Sequence, residues 1–269
     1  MPIRIRVNER EAEFQENVTL GDIARLVKSD ADVLIRNGFP GSSATRVDDG
    51  DEIVLIRKGE VPSLTDLEAL MAARHTPGVH RKAKAARVGI AGLGGLGSQV
   101  AIALARTGVG TLVLADFDVV EPSNLNRQQY FVEQIGAYKT DALADTLRRV
   151  NPYLRLEVHR VLLTAENIPE IFNGCHVLVE AFDRADQKAM LVETALAHLP
   201  ETWIVAASGV AGFGPADDIR THRLGPRLFV VGDLETAAQP GMGLMAPRVG
   251  AAAHSQANAT LRILLGEEQ

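Results

Sequence analysis

The stretch AGLGGLGSQV, residues 91–100, decides the fold of the larger part of this 269-residue chain. Gly92, Gly94 and Gly97 have the spacing G-x-G-x-x-G and follow the apolar run RVGIA, which predicts a buried strand. A helical pattern begins at about Gly95. Backbone N–H groups at such a helix start bind phosphate, and glycines let the phosphate come close. The stretch therefore predicts a nucleotide site, although its spacing alone leaves both NAD and ATP open.

Strands and helices alternate on the C-terminal side of this stretch. The predicted strands are ARVGIAG, GTLVLADFD, LRLEVHRV, HVLVEAFD and TWIVAAS, with helices at about Gly95–Arg106, Lys139–Arg149, near Glu166 and at Ala185–His198. Such alternation gives a Rossmann-like α/β fold, a mostly parallel sheet with helices on both faces. The tail from Gln239 to Gly266 predicts a glycine-rich loop that enters an amphipathic helix.

The N-terminal segment has a different pattern. Between Pro2 and Arg57, short alternating runs predict strands around one helix that Thr19 caps, which is a small α+β unit. This segment resembles the β-grasp sulfur carriers of the ThiS type. Such carriers end in Gly-Gly just after the last strand, whereas this chain reads IRKGEVPS and continues, so the segment has no free C-terminal carboxylate to offer.

These patterns predict three regions. Residues 1–58 form the ThiS-like β-grasp domain, residues 59–86 form a linking helix from Ser63 to Arg74 and a polar connection, and residues 87–269 form the nucleotide-binding domain. The stretch HTPGVHRKAKAA is read as the polar connection.

Composition narrows the classes of partner. The chain carries 34 acidic and 28 basic side chains and no run of like charge, so nucleic acid and anionic membranes are not expected partners. It has no apolar segment of membrane-spanning length, and a cytoplasmic protein is predicted. Cys175 is the only cysteine, which excludes an intramolecular disulfide and a zinc site built from several cysteines.

The loop ADFDVVEPSNLNRQQYF, residues 115–131, favours ATP over NAD. It brings together Asp116, Asp118, Asn124, Asn126 and Arg127. Asp116 ends a strand and can accept hydrogen bonds from ribose hydroxyls. The rest of this polar loop suits a triphosphate and Mg²⁺, because amides and a guanidinium bind phosphate oxygens, and Lys139 at the next helix start adds a charge. A dehydrogenase usually continues from its ribose acid into an ordinary helix.

Four motifs carry a resemblance. GLGGLGS, DFDVVEPSNLNRQ, GAYKTDAL and VEAFDRADQKAMLVE, in that order, resemble the ubiquitin-activating-like adenylyltransferases that include ThiF and MoeB, over about residues 72–266. The resemblance implies an ATP site that comprises the loop glycines Gly92, Gly94, Gly95 and Gly97, the ribose acid Asp116, the phosphate-binding Asn124, Arg127 and Lys139, and the Mg²⁺-binding Asp183. It also implies a homodimer in which an arginine upstream of the first strand reaches into the partner's site. Arg74 is the candidate, and the alternative is a side chain packed along its own helix.

The chain departs from this family pattern at several positions. Many relatives have an arginine where this chain has Lys188, which keeps the charge and loses the fork geometry. The chain lacks the Cys-x-x-Cys pairs that hold zinc in ThiF and MoeB relatives, so zinc is not expected. The loop GVAGFGPADDIRTHRLG also lacks the cysteine through which some ThiF proteins link to their carrier. Cys175 is read as a small buried hydrophobe.

The resemblance implies one function and leaves others open. The expected reaction is MgATP-dependent adenylation of the C-terminal glycine carboxylate of a ThiS-like carrier, for thiazole formation in thiamine biosynthesis. Adenylation of a molybdopterin-synthase carrier or of a tRNA nucleoside, and a non-catalytic regulatory scaffold, stay open. An NAD oxidoreductase is disfavoured because the asparagine and arginine loop has no role in hydride transfer.

Overall fold

The structure is a computed structural model that describes residues 2–67, 71, 75 and 78–267. The chain divides into two compact units, Met1–Pro77 and Gly78–Gln269. Of the predicted linking helix, residues 64–67 are helical, and Ser63 caps them by accepting a 3.2 Å hydrogen bond from the Asp66 amide. The predicted domain boundaries after residues 58 and 86 stay predictions.

The first unit is a β-grasp fold. Its elements are β1 (Ile3–Val7), β2 (Arg10–Phe14), α1 (Leu20–Val27), β3 (Val33–Arg36), β4 (Phe39–Pro40) and β5 (Glu52–Ile56). The sheet order is β2-β1-β5-β3-β4, with β1 and β5 parallel and the other pairs antiparallel. Alternate residues of β1 point inward, and Leu20 and Ile23 of α1 are completely buried with them. The strands and the helix that the sequence predicted are confirmed, and only the two-residue β4 was missed.

The second unit is the predicted α/β sheet. Its elements are α2 (Val79–Ala85), β6 (Arg87–Ala91), α3 (Gly95–Arg106), β7 (Thr111–Ala115), α4 (Lys139–Val150), β8 (Arg155–His159), α5 (Ile168–Ile171), β9 (Val177–Glu180), α6 (Ala185–His198), β10 (Trp203–Ala207), β11 (Arg220–Gly225), β12 (Leu228–Gly232) and α7 (Ala246–Leu265). The strand order is β11-β12-β10-β9-β6-β7-β8, and every neighbouring pair is parallel except β11 with β12.

Each face of this sheet packs against its own set of helices. Because side chains alternate along a strand, Val88 and Ile90 of β6 join the core beneath α3, α4 and α7, while Ala91 joins the core beneath α5 and α6. β7 and β9 alternate in the same way. The central strands are buried on both sides, which explains why their sequences read as continuous apolar runs.

Two segments differ from their prediction. The stretch VHRKAKA, predicted as part of a polar connection, forms α2, because its alanines and lysines are good helix formers and Ala83 is completely buried. The hairpin of β11 and β12 was not predicted, because β11, RTHRLG, is largely polar and exposed and gives no apolar strand signal. Across the described residues, no helix combines the length and apolar character that a membrane span requires.

Candidate active site

A cavity of about 670 Å³ lies at the carboxyl edge of the parallel strands of the second unit. Residues that follow β8, β7, β6, β9, β10 and β12 line it, in the order in which these strands neighbour one another. Open α/β sheets bind ligands at this edge. The cavity therefore extends along the edge of the sheet. It runs from Asp116 after β7, past the glycine loop after β6, to the segments that follow β10 and β12.

The glycine loop is tightly constrained. Gly92 has a φ of +87°, and a Cβ at Gly97 would lie only 1.9 Å from the carbonyl oxygen of Gly92. These two glycines allow the turn and the close packing of α3 onto it. Gly94, at the N-cap of α3, and Gly95, its first residue, line the cavity and present the helix N-terminus to it. This arrangement suits an anionic ligand.

Asp116 is held at the end of β7 by backbone groups. Its carboxylate accepts hydrogen bonds from the Leu93 amide at 2.6 Å and from the Asp118 amide at 2.8 Å. Burial raises the pKa of Asp116, and the nearby Lys139 ammonium opposes that rise. The carboxylate lines the cavity beside the glycine loop, as expected of a ribose acid.

Lys139 and Asp118 form an ion pair at the cavity wall. The Lys139 Nζ lies 2.8 Å from Asp118 Oδ2, and the lysine side chain is 8% exposed. The Lys139 amide also donates to the Asp118 carbonyl at 2.9 Å, so the start of α4 is fixed to the loop after β7. Both residues line the cavity. The predicted phosphate-binding lysine therefore lies where a phosphate can reach it, with a carboxylate balancing its charge.

The loop after β7 brings Arg127 to the cavity and keeps Asn124 away from it. The Arg127 guanidinium donates to Asn126 Oδ1 at 2.8 Å and to the Ser123 carbonyl at 3.3 Å. The Asn124 side chain is buried and accepts a 3.0 Å hydrogen bond from the Glu121 amide, which caps its own turn. A phosphate contact by Asn124 stays a prediction.

Sequence reasoning missed Gln128. It lines the cavity, and its Oε1 is buried without a hydrogen-bond partner among the described residues. A Cβ at Gly94 would lie 3.8 Å from its Nε2, so the amide faces the glycine loop. An unpaired buried amide oxygen at a ligand cavity is a candidate acceptor for a ligand donor. The signal was its place directly after Arg127 in the motif NLNRQ.

Asp183 lies at the rim of the cavity after β9. Its side chain is exposed, and no hydrogen bond or ion pair engages its carboxylate in the part of the chain that the structure describes. No group of three or more His, Cys, Asp or Glu side chains that could hold a metal occurs among the described residues. A single free carboxylate beside a phosphate cradle fits Mg²⁺, which uses one or two carboxylates together with substrate phosphates and water.

Lys188 pairs with a buried glutamate that sequence reasoning did not consider. The Lys188 Nζ donates to both carboxylate oxygens of Glu180 and to the Ala207 carbonyl, each at 3.0 Å. Glu180 is completely buried and also accepts from the amides of Phe182 at 2.7 Å and Ala207 at 3.3 Å. This pair ties the end of β9 to the end of β10, so the lysine charge serves the protein framework.

The far end of the cavity is built from small residues. Its lining segments are residues 208–211, which follow β10, and residues 236–238 together with Leu244, which follow β12. Backbone hydrogen bonds join the two segments, including Gly212 N to Gly243 O at 2.8 Å and Asp233 N to Gly209 O at 3.1 Å. If a nucleotide occupies the end with Asp116 and the glycine loop, this end is left for a second reactant.

Two other predicted positions need a statement. Arg74 lies outside the described residues, so its role stays a prediction. Cys175 is buried and has no disulfide, and burial raises the pKa of its thiol from 9.0 to about 11. Since the thiolate is the reactive form of cysteine, this residue has the properties of an inert buried side chain.

The fold and the site define a class, the nucleotide-binding α/β proteins with a glycine-loop phosphate site at the edge of the sheet. Comparison with known proteins gives the family. The ThiF family model matches residues 68–269, and a model of ThiS-like ubiquitin matches residues 3–59. The chain belongs to the ThiF family and carries an N-terminal ThiS-like domain, as the sequence motifs predicted.

Curated proteins of similar sequence are named adenylyltransferases and sulfurtransferases. The adenylyltransferase and sulfurtransferase uba4 of Aspergillus clavatus is 39% identical over 116 residues, which cover 43% of this chain and 24% of that protein. The probable adenylyltransferase/sulfurtransferase MoeZ of Mycobacterium tuberculosis is 34% identical over 125 residues, 46% of this chain and 32% of that protein. UBA4 of Eremothecium gossypii is 32% identical over 195 residues, 69% and 43% respectively. The chain thus spans less than half the length of these relatives.

Solved structures support the fold. The tRNA N6-threonylcarbamoyladenosine dehydratase TcdA of E. coli, in complex with ATP, matches with a TM-score of 0.66 at 24% identity, over 73% of this chain and 93% of that chain. MccB of E. coli matches with a TM-score of 0.55 at 21% identity, over 70% of this chain and 59% of that chain. At these identities the likeness establishes the shared α/β architecture.

Proposed function

We propose that this protein is a MgATP-dependent adenylyltransferase that activates the C-terminal glycine carboxylate of a ThiS-like sulfur carrier for thiazole formation in thiamine biosynthesis. One observation carries the proposal. A single cavity joins a phosphate-binding glycine loop, with Asp116, Lys139 and Asp183 beside it, to a second end lined by small residues. Membership of the ThiF family and the ThiS-like domain support this choice of substrate.

The proposed reaction needs no side-chain nucleophile. A carboxylate oxygen of the carrier attacks the α-phosphorus of ATP, the bond from the α-phosphorus to the bridging oxygen breaks, and pyrophosphate leaves with the electron pair. The product is an acyl-adenylate, which is a better electrophile than the carboxylate. Catalysis then rests on holding the two reactants in line and on stabilising charge at the phosphates.

The residues of the cavity divide these tasks. Asp116 accepts from the ribose hydroxyls, the N-terminus of α3 and Arg127 bind the phosphates, and Lys139 exchanges its Asp118 partner for a phosphate oxygen. Asp183 would hold Mg²⁺, which supplies charge neutralisation at the pyrophosphate leaving group. Asn124 and Asp118 are proposed supporting residues of the same site, and a homodimer in which Arg74 reaches the partner's site stays part of the proposal. We propose no zinc.

The test is carrier-dependent exchange of labelled pyrophosphate into ATP. The full chain is mixed with MgATP and with each free Gly-Gly carrier of the host in turn. Exchange with a ThiS-type carrier is the expected result. Exchange only with a molybdopterin-synthase carrier would move the function to that substrate. ATP binding without exchange for any carrier would contradict carrier adenylation and favour a scaffold or a nucleoside substrate.

A pair of variants tests the metal role. Asp183→Asn removes the free carboxylate at the cavity rim, and we expect exchange to fall about 100-fold or more, as for loss of a charge-stabilising group. Asp145→Asn is the matched control, because Asp145 is an exposed carboxylate of α4 that does not line the cavity. Wild-type exchange in Asp183→Asn, or equal losses in both variants, would contradict the assignment.

A further inference from the structure

A buried ion pair lies behind the small-residue end of the cavity. Arg248, near the start of α7, is 5% exposed, and its Nη2 lies 2.5 Å from Asp233 Oδ2. Its Nη1 donates to the Pro215 carbonyl at 2.6 Å. Neither residue lines the cavity, so neither belongs to the machinery described above.

Asp233 organises the cavity wall that follows it. Its Oδ1 accepts hydrogen bonds from the amides of Glu235 and Thr236, both at 2.8 Å, and Oδ2 accepts from the Thr236 hydroxyl. Burial opposes ionisation of Asp233, but the hydrogen bonds from Thr236 and Glu235 and the Arg248 guanidinium outweigh it and lower the pKa to about 2. The carboxylate is therefore charged at neutral pH and fixes the turn at residues 233–236, which leads into the wall.

The same pair reaches both segments at the far end of the cavity. A Cβ at Gly209 would lie 1.9 Å from Asp233 Oδ1, so the segment after β10 packs directly against the Asp233 carboxylate. Pro215, which binds Arg248, lies further along that segment. The wall thus depends on an anchor that joins residues 208–215, the turn at Asp233 and the first turn of α7.

Helix α7 connects this anchor to the glycine loop. Val249, the neighbour of Arg248, lines the cavity, and its Cγ1 lies 3.0 Å from the position of a Cβ at Gly95. α7 packs along α3, the helix that begins at that loop. Different side chains of one helix therefore serve the two ends of the cavity: Val249 contacts the glycine loop, and Arg248 contacts the anchor.

A contribution to stability is a weak explanation for the presence of the Arg248–Asp233 ion pair. The Nε of Arg248 is buried and has no hydrogen-bond partner among the described residues. A buried donor without a partner costs free energy, and apolar pairs of similar volume are often at least as stable as buried ion pairs. The directional bonds that the guanidinium makes to Asp233 and Pro215 therefore point to a positioning role.

We propose that Arg248 and Asp233 are positioning residues that hold residues 233–245 as the wall for the acyl substrate, and so set the affinity for the carrier tail without affecting that for ATP. This inference rests on the proposed function. In that reaction the tail carboxylate must meet the α-phosphorus, and a shift of the wall by about 1 Å can cost 100-fold in rate.

The experiment measures the two substrates separately in the full-length protein. Arg248→Gln and Asp233→Asn should each lower kcat/KM for the carrier by about 10- to 100-fold in pyrophosphate exchange. The dissociation constant of a non-hydrolysable ATP analogue should stay within about twofold of wild type, since the anchor lies behind the opposite end of the cavity. The double variant should lose no more than either single variant, because each one already breaks the same unit.

Two further variants separate positioning from folding. Arg248→Lys keeps one charged donor and should recover part of the carrier kcat/KM. Arg220→Gln, an exposed arginine on β11, is the matched control and should behave as wild type. If Arg248→Gln unfolds, Arg248→Lys carries the test, with intermediate carrier kcat/KM expected. Equal loss of carrier and ATP affinity in Arg248→Lys would overturn the proposal.

Hydrogen exchange gives a readout that does not depend on the reaction. The amides of Glu235 and Thr236 donate to Asp233 and should exchange at least about tenfold faster in Arg248→Gln, while those of α3 stay protected. Suppose that hydrogen exchange is faster in Arg248→Gln but the wild-type protein adenylates no carrier. That result would contradict the proposed function and still support the anchor. Unchanged exchange together with unchanged carrier kcat/KM would overturn the anchor itself.

Discussion

Replacing Lys188 with methionine isolates the buried charge of Glu180. The change removes three hydrogen bonds of 3.0 Å, two to Glu180 and one to the Ala207 carbonyl. Among the described residues, the completely buried Glu180 carboxylate then keeps only the amides of Phe182 and Ala207 as donors. Loss of one partner of a buried pair costs about 3–5 kcal/mol. We expect Lys188→Met to lower the free energy of unfolding by about 3 kcal/mol, the lower end of this range, because the two amides still stabilise the carboxylate.

The loss should depend on pH in a defined direction. Burial raises the pKa of Glu180 and Lys188 opposes the rise, so removal of the lysine raises this pKa further. A group whose folded pKa lies above its unfolded pKa holds its proton to higher pH in the folded state than in the unfolded state. Its contribution to stability is therefore lost as pH rises through the folded pKa. The deficit of Lys188→Met should therefore be smaller at pH 5 than at pH 8.

The assay is urea unfolding followed by tryptophan fluorescence. Trp203, the only tryptophan of the chain, begins β10, one strand from Glu180, and reports on the second unit alone. Lys58→Met, at an exposed lysine of the first unit, is the matched control and should leave this transition unchanged. A loss below about 1 kcal/mol, or an equal loss at pH 5 and pH 8, would refute the buried-charge argument.

Two further predictions concern the glycine loop and the cysteine. Gly97→Ala places a Cβ 1.9 Å from the Gly92 carbonyl oxygen, so it should cost about 1–3 kcal/mol and weaken ATP binding about 100-fold. Gly94→Ala is the control, because its Cβ would meet nothing closer than 3.8 Å and a smaller loss of stability is expected. Equal losses of stability in the two variants, measured by thermal unfolding, would contradict this reading. Cys175 should resist alkylation by iodoacetamide at pH 7.5 until urea unfolds the second unit, because its pKa is about 11, and fast labelling of the native protein would count against its burial.

The parts of the site that the sequence predicted are those with local signals. Gly92, Gly94 and Gly97 mark a turn between a strand and a helix, and all three serve that turn in the structure. Asp116 ends the next strand, and two neighbouring amides hold it. Spacing along the chain was enough here, because each contact lies within one β-α-β unit.

The parts that the sequence did not predict depend on distant partners. Glu180 and Lys188 meet because α6 folds back over the end of β9, and an apolar run that ends in glutamate gives no signal of that contact. Arg248 and Asp233 meet only because the hairpin of β11 and β12 places Asp233 beside the first turn of α7. Buried pairs of this kind follow from packing, which local propensity does not encode.

The two ends of the cavity come from different parts of the chain. The glycine loop, Asp116 and Lys139 all precede residue 140, whereas the lining segments of the opposite end follow residue 207. Under the proposed function, substitutions in the last part of the chain would therefore act on the acceptance of the acyl substrate and leave the glycine loop, Asp116 and Lys139 unchanged.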